Sequence, residues 1–156
     1  MAYVMFHTYF PEVARRETRT ITVFPRANVD VPPAAYSFLE SFCDRPGCDC
    51  RRVFFTVVSS QREDVQAVVA WGWEPREFYE RWFAYGDSVA VTELKGPVLN
   101  ALSPQSDLAP AILNLVRDEL LRDEEYVERV KRHYKMFREQ VEAQEGEAGD
   151  SGQESE

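Results

Sequence analysis

Three cysteines, Cys43, Cys48 and Cys50, lie close together in the chain and are the residues best suited to chemistry. Pro46 and Gly47 between them suit the two central positions of a type II turn, which would fold Cys43 back toward Cys48. Residues two apart in an extended backbone point to the same side, so Cys48 and Cys50 can face one centre. Grouped thiolates are ligands that zinc prefers. The spacing therefore predicts a metal site, with zinc as the suspected cofactor in a structural role.

A tetrahedral zinc site needs a fourth donor besides the three sulfurs. The predicted ligand set includes His133, which lies on the last predicted helix beside its apolar stripe and could reach inward. The alternatives are the other histidine, the two carboxylates inside the cysteine segment, and water: His7, Asp44, Asp49 or a water molecule.

Other interpretations of the cysteines stay open. Arg45, Arg51 and Arg52 could offset the charge of a metal-thiolate site, or they could lower a thiol pKa enough to make it reactive. An enzyme with an open zinc site or a reactive thiol is therefore the alternative to a binding protein. Three reduced thiols in a loop, without a metal or a reaction, are a further interpretation. The sequence has no glycine-rich nucleotide motif, Gly-x-Ser-x-Gly or His-Glu-x-x-His. No catalytic residue is predicted, and a non-enzymatic binding function is favoured.

The segments on either side of the cysteines have the patterns of β-strands. Residues 52–59 and 65–73 both contain unbroken apolar and β-branched runs, which predict neighbouring strands joined by a short polar turn. Residues 17–24 are rich in β-branched side chains and end at Pro25, which predicts a third strand. We expect these strands to form an antiparallel sheet in an α+β domain.

Helices are predicted to cover and flank this sheet. A short helix is expected from Pro33 toward Cys43, and an aromatic helix over 75–85 should pack on the sheet through Phe78, Trp82 and Tyr85. Residues 88–94 could form another strand. The last third predicts two helices joined by a short connection, as an antiparallel hairpin. The apolar positions of the second helix are spaced three or four apart: Val127, Val130, Tyr134, Phe137 and Val141.

The charge is uneven along the chain. The formal net charge is -9, from 18 basic and 27 acidic residues, and residues 140–156 contain six of the acids and none of the bases. Residues 144–156 carry no large apolar side chain, so burial cannot offset their ordering entropy. The sequence predicts one globular domain over residues 1–143, followed by a disordered acidic tail.

The composition also limits the partners and the location. The basic residues of the last helix alternate with glutamates four positions away, and an acidic protein repels phosphate, so no nucleic acid partner is expected. No apolar run approaches the roughly 20 residues of a membrane span. An odd number of cysteines without a secretion leader favours a reducing cytoplasmic location. With nucleic acid and membrane not expected, the sequence favours a protein or a small molecule of unknown identity as the partner.

Overall fold

The computed structural model describes residues 3–84 and 86–154, with side chains described up to residue 147. Their six strands form one antiparallel sheet, with the order β1-β3-β4-β5-β6 and β2 paired to β3 along the same edge as β1. This confirms the α+β class and the antiparallel sheet. The strands are β1 (Tyr3–Met5), β2 (Arg19–Val23), β3 (Ala34–Cys43), β4 (Arg52–Ser59), β5 (Arg62–Gly72) and β6 (Val98–Leu99).

Six α-helices accompany the sheet in the described part of the chain, and a short 3-10 turn at Leu120–Arg122 separates the last two. The fifth helix packs on β5 and the sixth lies along β3. The two predicted C-terminal helices are therefore present. The helices are α1 (Phe6–Tyr9), α2 (Pro11–Glu17), α3 (Arg76–Trp82), α4 (Ser88–Lys95), α5 (Ala109–Asp118) and α6 (Glu124–Glu154).

One face of the sheet carries the hydrophobic core. Val53, Phe55 and Val57 alternate along β4 and are completely buried on this face. The apolar seam of α6 packs against it, with the rings of Phe42 and Phe137 5.5 Å apart. Burying each such side chain contributes about 1.5–3 kcal/mol. The seam predicted from the three-and-four spacing in α6 is thus what holds this helix on the sheet.

The opposite face of the sheet carries the alternate side chains of the same strands. On it Phe54 is half-buried, and the ring of Tyr3 stacks on the Phe54 ring with centroids 4.0 Å apart. Helix α4 lies against β5, and the segment from Val98 to Leu102 borders the same region.

β3 occupies the segment that was expected to be a short helix from Pro33, so that prediction was wrong. Tyr36, Phe38 and Phe42 recur at even spacing, and all three are buried on the core face. This period of two belongs to a strand, and it outweighs the helix-compatible proline at the start. β3 therefore lies between β4 and the β1–β2 edge, and it delivers Cys43 directly from the sheet.

The aromatic helix is shorter than expected and does not cover the sheet. In α3 only Tyr79 is buried, whereas Trp82 and the following Phe83 are each 42% exposed; Tyr85 lies outside the described residues. Residues 88–94, a possible strand, form α4 instead, because the Asp87 carboxylate accepts a hydrogen bond from the Ala90 N–H at 2.8 Å and caps the helix.

The described side chains of the acidic tail, up to residue 147, lie outside the core. Helix α6 continues to Glu154, but its buried seam ends at Val141 and residues 143–147 are all exposed. Residues 155 and 156 of the predicted tail lie outside the described residues. None of the helices in the described ranges has a stretch that is both long and apolar enough to cross a membrane.

Candidate metal site

The three cysteines lie in the loop that connects β3 to β4. Cys43 ends β3, and Cys50 lies two residues before β4. Between them Gly47 has a φ of +74°, and the Cys48 N–H donates to the Arg45 carbonyl at 3.2 Å. A positive φ at the third position with this hydrogen bond is the type II arrangement predicted from the sequence. The turn returns Cys48 toward Cys43.

The main-chain N–H two residues further along acts on each of the three sulfur atoms as a donor that lowers the pKa of that thiol. The donors are Arg45 for Cys43, Cys50 for Cys48, and Arg52 for Cys50. Cys48 also shares side-chain hydrogen bonds with both Cys43 and Cys50. The N–H donors favour a negative charge on sulfur. The structure therefore brings together the three predicted cysteines and surrounds them with groups that suit thiolates.

The thiols themselves are held in the protonated form. Cys43 and Cys50 are 1% and 2% exposed, and Cys48 is half-buried. Burial is the largest cause that raises the pKa of all three thiols above the ordinary value. A reactive cysteine needs a lowered pKa and access to solvent, so this environment does not favour a nucleophilic thiol.

Tyr3 and Arg52 lie on the inner side of the loop, next to Cys50. The Tyr3 hydroxyl hydrogen-bonds to the Cys50 sulfur and accepts a hydrogen bond from Arg52 Nη1 at 2.9 Å. Burial is the main cause that raises the pKa of Tyr3. The positive charge of Arg52 lowers the pKa of Cys50 but does not overcome the larger effect of burial. Arg52 is thus placed to offset negative charge on this sulfur.

Helix α6 fixes the main chain of the loop. Arg138 donates from Nη1 to the Cys43 carbonyl at 2.6 Å and from Nη2 to the Arg45 carbonyl at 2.7 Å. The Glu142 carboxylate accepts from the Gly47 N–H at 2.9 Å and from Arg138 at 2.8 Å. Because these bonds use main-chain atoms and not the cysteine side chains, they leave the sulfurs able to turn toward a ligand.

Arg51, between Cys50 and β4, has a left-handed backbone with a φ of 51°. A conformation of this kind costs a non-glycine residue about 1–3 kcal/mol. Its N–H donates to the Tyr134 hydroxyl at 3.2 Å, and its carbonyl accepts from the Tyr79 hydroxyl at 2.8 Å. The Asp49 carboxylate bonds to the Arg51 guanidinium at 2.9 Å, and this contact is the main cause that lowers the pKa of Asp49. Strain at Arg51 is offset by this set of contacts.

The fourth ligand of the site, whether His133, His7, Asp44, Asp49 or water, stays a prediction. Among residues 3–84 and 86–154, no group of three or more His, Cys, Asp or Glu side chains is arranged so that it could hold a metal ion. The Asp49 carboxylate is already bonded to Arg51 and to Tyr134, and His7 is exposed on α1. Metal binding would therefore require the three sulfurs to move toward a common centre.

His133 belongs to a second polar cluster. Its Nδ1 lies 2.7 Å from Glu40 Oε1 and its Nε2 lies 3.1 Å from Glu17 Oε1. The imidazole is 1% exposed and stacks on the Phe6 ring with centroids 4.3 Å apart. Both ring nitrogens thus have carboxylate partners, and these contacts give no support to His133 as a metal ligand, which stays a prediction.

The cluster around His133 is closed by two further residues. The Tyr126 hydroxyl donates to Glu40 Oε2 at 2.8 Å, and Arg132 donates to both oxygens of Glu17 at 2.7 and 2.8 Å. The Arg132 hydrogen bond is the largest cause that lowers the pKa of Glu17 to about 2. We refer to these five side chains as the His133 cluster.

Sequence reasoning missed the partners of His133 because it treated residues 33–42 as a helix. In a strand of period two, Glu40 shares the core-facing positions of Phe38 and Phe42. A carboxylate at such a position needs a buried partner, so that pattern would have pointed toward a histidine or an arginine of a covering helix.

The fold and the loop define a small α+β protein with a cluster of thiols at the end of its antiparallel sheet. No protein-family model, no curated protein and no solved structure matches this chain. Its function is therefore argued from the geometry of its own residues.

Proposed function

We propose that the chain is a metal-binding protein of the reducing cytoplasm, in which Cys43, Cys48 and Cys50 hold a zinc ion as thiolates. The observation that carries this proposal is the main-chain N–H donor at each of the three sulfurs. Such donors withdraw negative charge from metal-bound sulfur and orient it. Such N–H donors stabilise negatively charged thiolates on a metal much more than they stabilise neutral thiols.

The proposed role of the ion is structural. Cys43 and Cys50 are almost completely buried, and the loop is bonded to α6 before its turn, at Cys43, and within the turn, at Gly47. An ion at this position would link the end of β3 to the approach to β4. The protein would then act by binding a partner, with the metal maintaining the shape of the loop, and a local side chain or water would complete the tetrahedral set.

The metal content of reductively purified protein tests the proposal. We expect one zinc ion per chain, and a loss of most of the zinc when Cys43, Cys48 or Cys50 is changed singly to Ser. Arg138→Gln is the matched control, because it releases the loop carbonyls and leaves the three sulfurs in place. It should keep the stoichiometry of one. Wild-type protein that remains without zinc after reconstitution would contradict the proposal.

Cobalt(II) substitution tests the ligand set directly in the wild-type protein. Tetrahedral cobalt bound to thiolates should give sulfur-to-metal charge-transfer absorption and visible d–d bands. We expect both in the wild-type protein, and His133→Gln should leave them unchanged because His133 is bonded to Glu40 and Glu17. Octahedral cobalt without charge-transfer absorption would contradict a thiolate site.

A further inference from the structure

The sheet face opposite the core contains a groove beside the proposed metal site, and Tyr3 and Arg52, which lie next to Cys50, also line this groove. It lies between α4 and the segment from Val98 to Leu102, has a volume of about 620 Å³, and is lined by no cysteine. Binding sites for small molecules typically have volumes of about 300–1,000 Å³. The groove is therefore large enough for a ligand.

The walls of the groove are mainly apolar. Phe54 and Ala70 form part of its lining on the sheet, and Leu102 and Phe83 line it from the bordering segments. Leu102 is 98% exposed and Phe83 is 42% exposed. An occupant of the groove would remove this apolar surface from water, which is favourable. The occupant must therefore have an apolar body.

Arg52 lines the same groove and supplies a positive charge. It is half-buried, donates from Nε to the Leu94 carbonyl at 2.8 Å, and its guanidinium lies 5.5 Å from the Phe54 ring centroid. Among the ion pairs of the described residues none involves Arg52, whereas its neighbour Arg51 is paired with both Asp49 and Glu74. A half-buried cation without a carboxylate partner favours an anionic ligand.

One acidic residue, Glu93, also lines the groove, from the exposed side of α4. Solvent and salt screen its charge more strongly than that of the half-buried Arg52. An occupant with a single negative charge at the Arg52 end suits this arrangement, and a polyanion such as a phosphate chain does not.

We propose that this groove binds a small apolar carboxylic acid, with its carboxylate on Arg52 and its hydrocarbon part along Phe54 and Leu102. The guanidinium matches a carboxylate through charge-assisted hydrogen bonds. The apolar walls favour a hydrocarbon body and reject a strongly hydrated one. The same chemistry could be offered by a free fatty acid or by an aromatic acid.

Titration of the full chain with decanoate, followed by two-dimensional amide NMR, tests this proposal. Saturable shifts are expected at Phe54, Ala70 and Leu102 below the critical micelle concentration. Decanol and decyltrimethylammonium have the same hydrocarbon part with a neutral and a positive head group, and each should bind at least about tenfold more weakly than decanoate. Phenylpropionate then distinguishes an aromatic from an aliphatic preference.

Two variants and a control locate the site. Leu102→Ser should weaken decanoate binding by about tenfold, because it removes apolar contact area without touching the core. Arg52→Gln should reduce decanoate binding to the level of decanol. Phe24→Ser is the matched control, since Phe24 is 69% exposed and does not line the groove, and it should change nothing.

The absence of saturable shifts would overturn the proposal, and so would equal binding of the three head groups or an unaltered affinity of Leu102→Ser. If Arg52→Gln does not fold, the head-group series and Leu102→Ser still decide the question. Because no cysteine lines the groove and Leu102→Ser leaves Arg52 and Cys50 unchanged, the zinc content of wild type and of this variant shows whether the metal proposal fails separately.

Discussion

The His133 cluster and the cysteine loop are both polar groups held by α6, yet only one of them is complete. In the His133 cluster each ring nitrogen and both oxygens of Glu40 have a partner. In the loop, the sulfurs have N–H donors suited to thiolates, while burial raises the pKa of every thiol. The first arrangement is satisfied within the protein, and the second is suited to an added cation.

This difference separates a group that stabilises the fold from a group that binds. His133 is bonded to both Glu40 and Glu17, and these contacts join β3 and the end of α2 to α6. The loop is joined to the same helix mainly through its main chain. Removing a member of the closed cluster at neutral pH should therefore be costly whether or not metal is present. Removing a cysteine should matter mainly when metal is present.

The largest expected effect belongs to His133→Ala. It removes the buried hydrogen bonds to Glu40 and Glu17 together with the packing on Phe6, and this combined loss should cost about 3–5 kcal/mol. Urea unfolding measures the change in the free energy of unfolding. Arg15→Ala is the control, because the Arg15–Glu12 pair is exposed and should contribute less than about 1 kcal/mol. Similar losses in the two variants would show that the buried contacts of His133 stabilise the fold no more than an exposed ion pair does.

Tyr126→Phe should have the next largest effect. It removes the hydrogen bond to Glu40 in the core, and a hydrogen bond to a charged group contributes about 1.5–3 kcal/mol. Tyr134→Phe is the matched change in the loop, where the hydroxyl bonds to Asp49 and to the Arg51 N–H, and it should cost less than Tyr126→Phe because the Asp49 side chain is 59% exposed and water can replace the lost bond. The same denaturation measurement ranks them. The reverse order would show that the loop, and not the His133 cluster, is the tighter region.

Acid should weaken the His133 cluster in a defined window. The pKa of Glu17 falls from its ordinary value of 4.5 to about 2, so its stabilisation is present above pH 4.5 and is lost as the pH falls toward 2. Arg132→Gln removes the largest cause of this shift. Wild type should be the more stable protein at pH 6, and the difference should shrink between pH 4.5 and 2. Thermal melting of wild type and Arg132→Gln across this pH range measures the difference. A stability difference that does not change with pH would contradict a lowered pKa of Glu17.

The smallest effect is expected from Cys48→Ser without metal. Cys48 is half-buried, so the change should cost less than about 1 kcal/mol in the presence of a chelator. Excess zinc should raise the melting temperature of wild type, because an ion that binds only the folded chain stabilises it by mass action. The variant should gain much less. Equal gains would show that zinc stabilises the protein at another place.

Much of the fold followed from local patterns. The run at 52–59 and the seam through Val130 and Phe137 each have a clear period, and both appear as expected. The segment before Cys43 failed because a proline start favoured a helix, although Tyr36, Phe38 and Phe42 alternate as a strand does. The place of α3 could not be derived, since aromatic spacing shows which side chains share a face but not what covers that face.

The cysteine site was predictable only in part, for a related reason. The turn at Gly47 and the meeting of the sulfurs follow from short-range geometry. The partners of His133 depend on Glu17 and Glu40, which are separated from it by more than ninety residues. Contacts between residues so far apart in the sequence arise from the topology of the sheet, and the local sequence pattern does not predict them.

Proton release during zinc binding tests the central claim most directly. The raised pKa values keep Cys43, Cys48 and Cys50 protonated at neutral pH, and a thiolate ligand must lose its proton when it binds a metal. Titration of reduced protein with zinc at pH 7, in weak buffer with an indicator dye, should release about three protons per bound ion. Cys48→Ser should release fewer. Stoichiometric zinc binding without proton release, or no binding at all, would contradict a site built from these three thiolates.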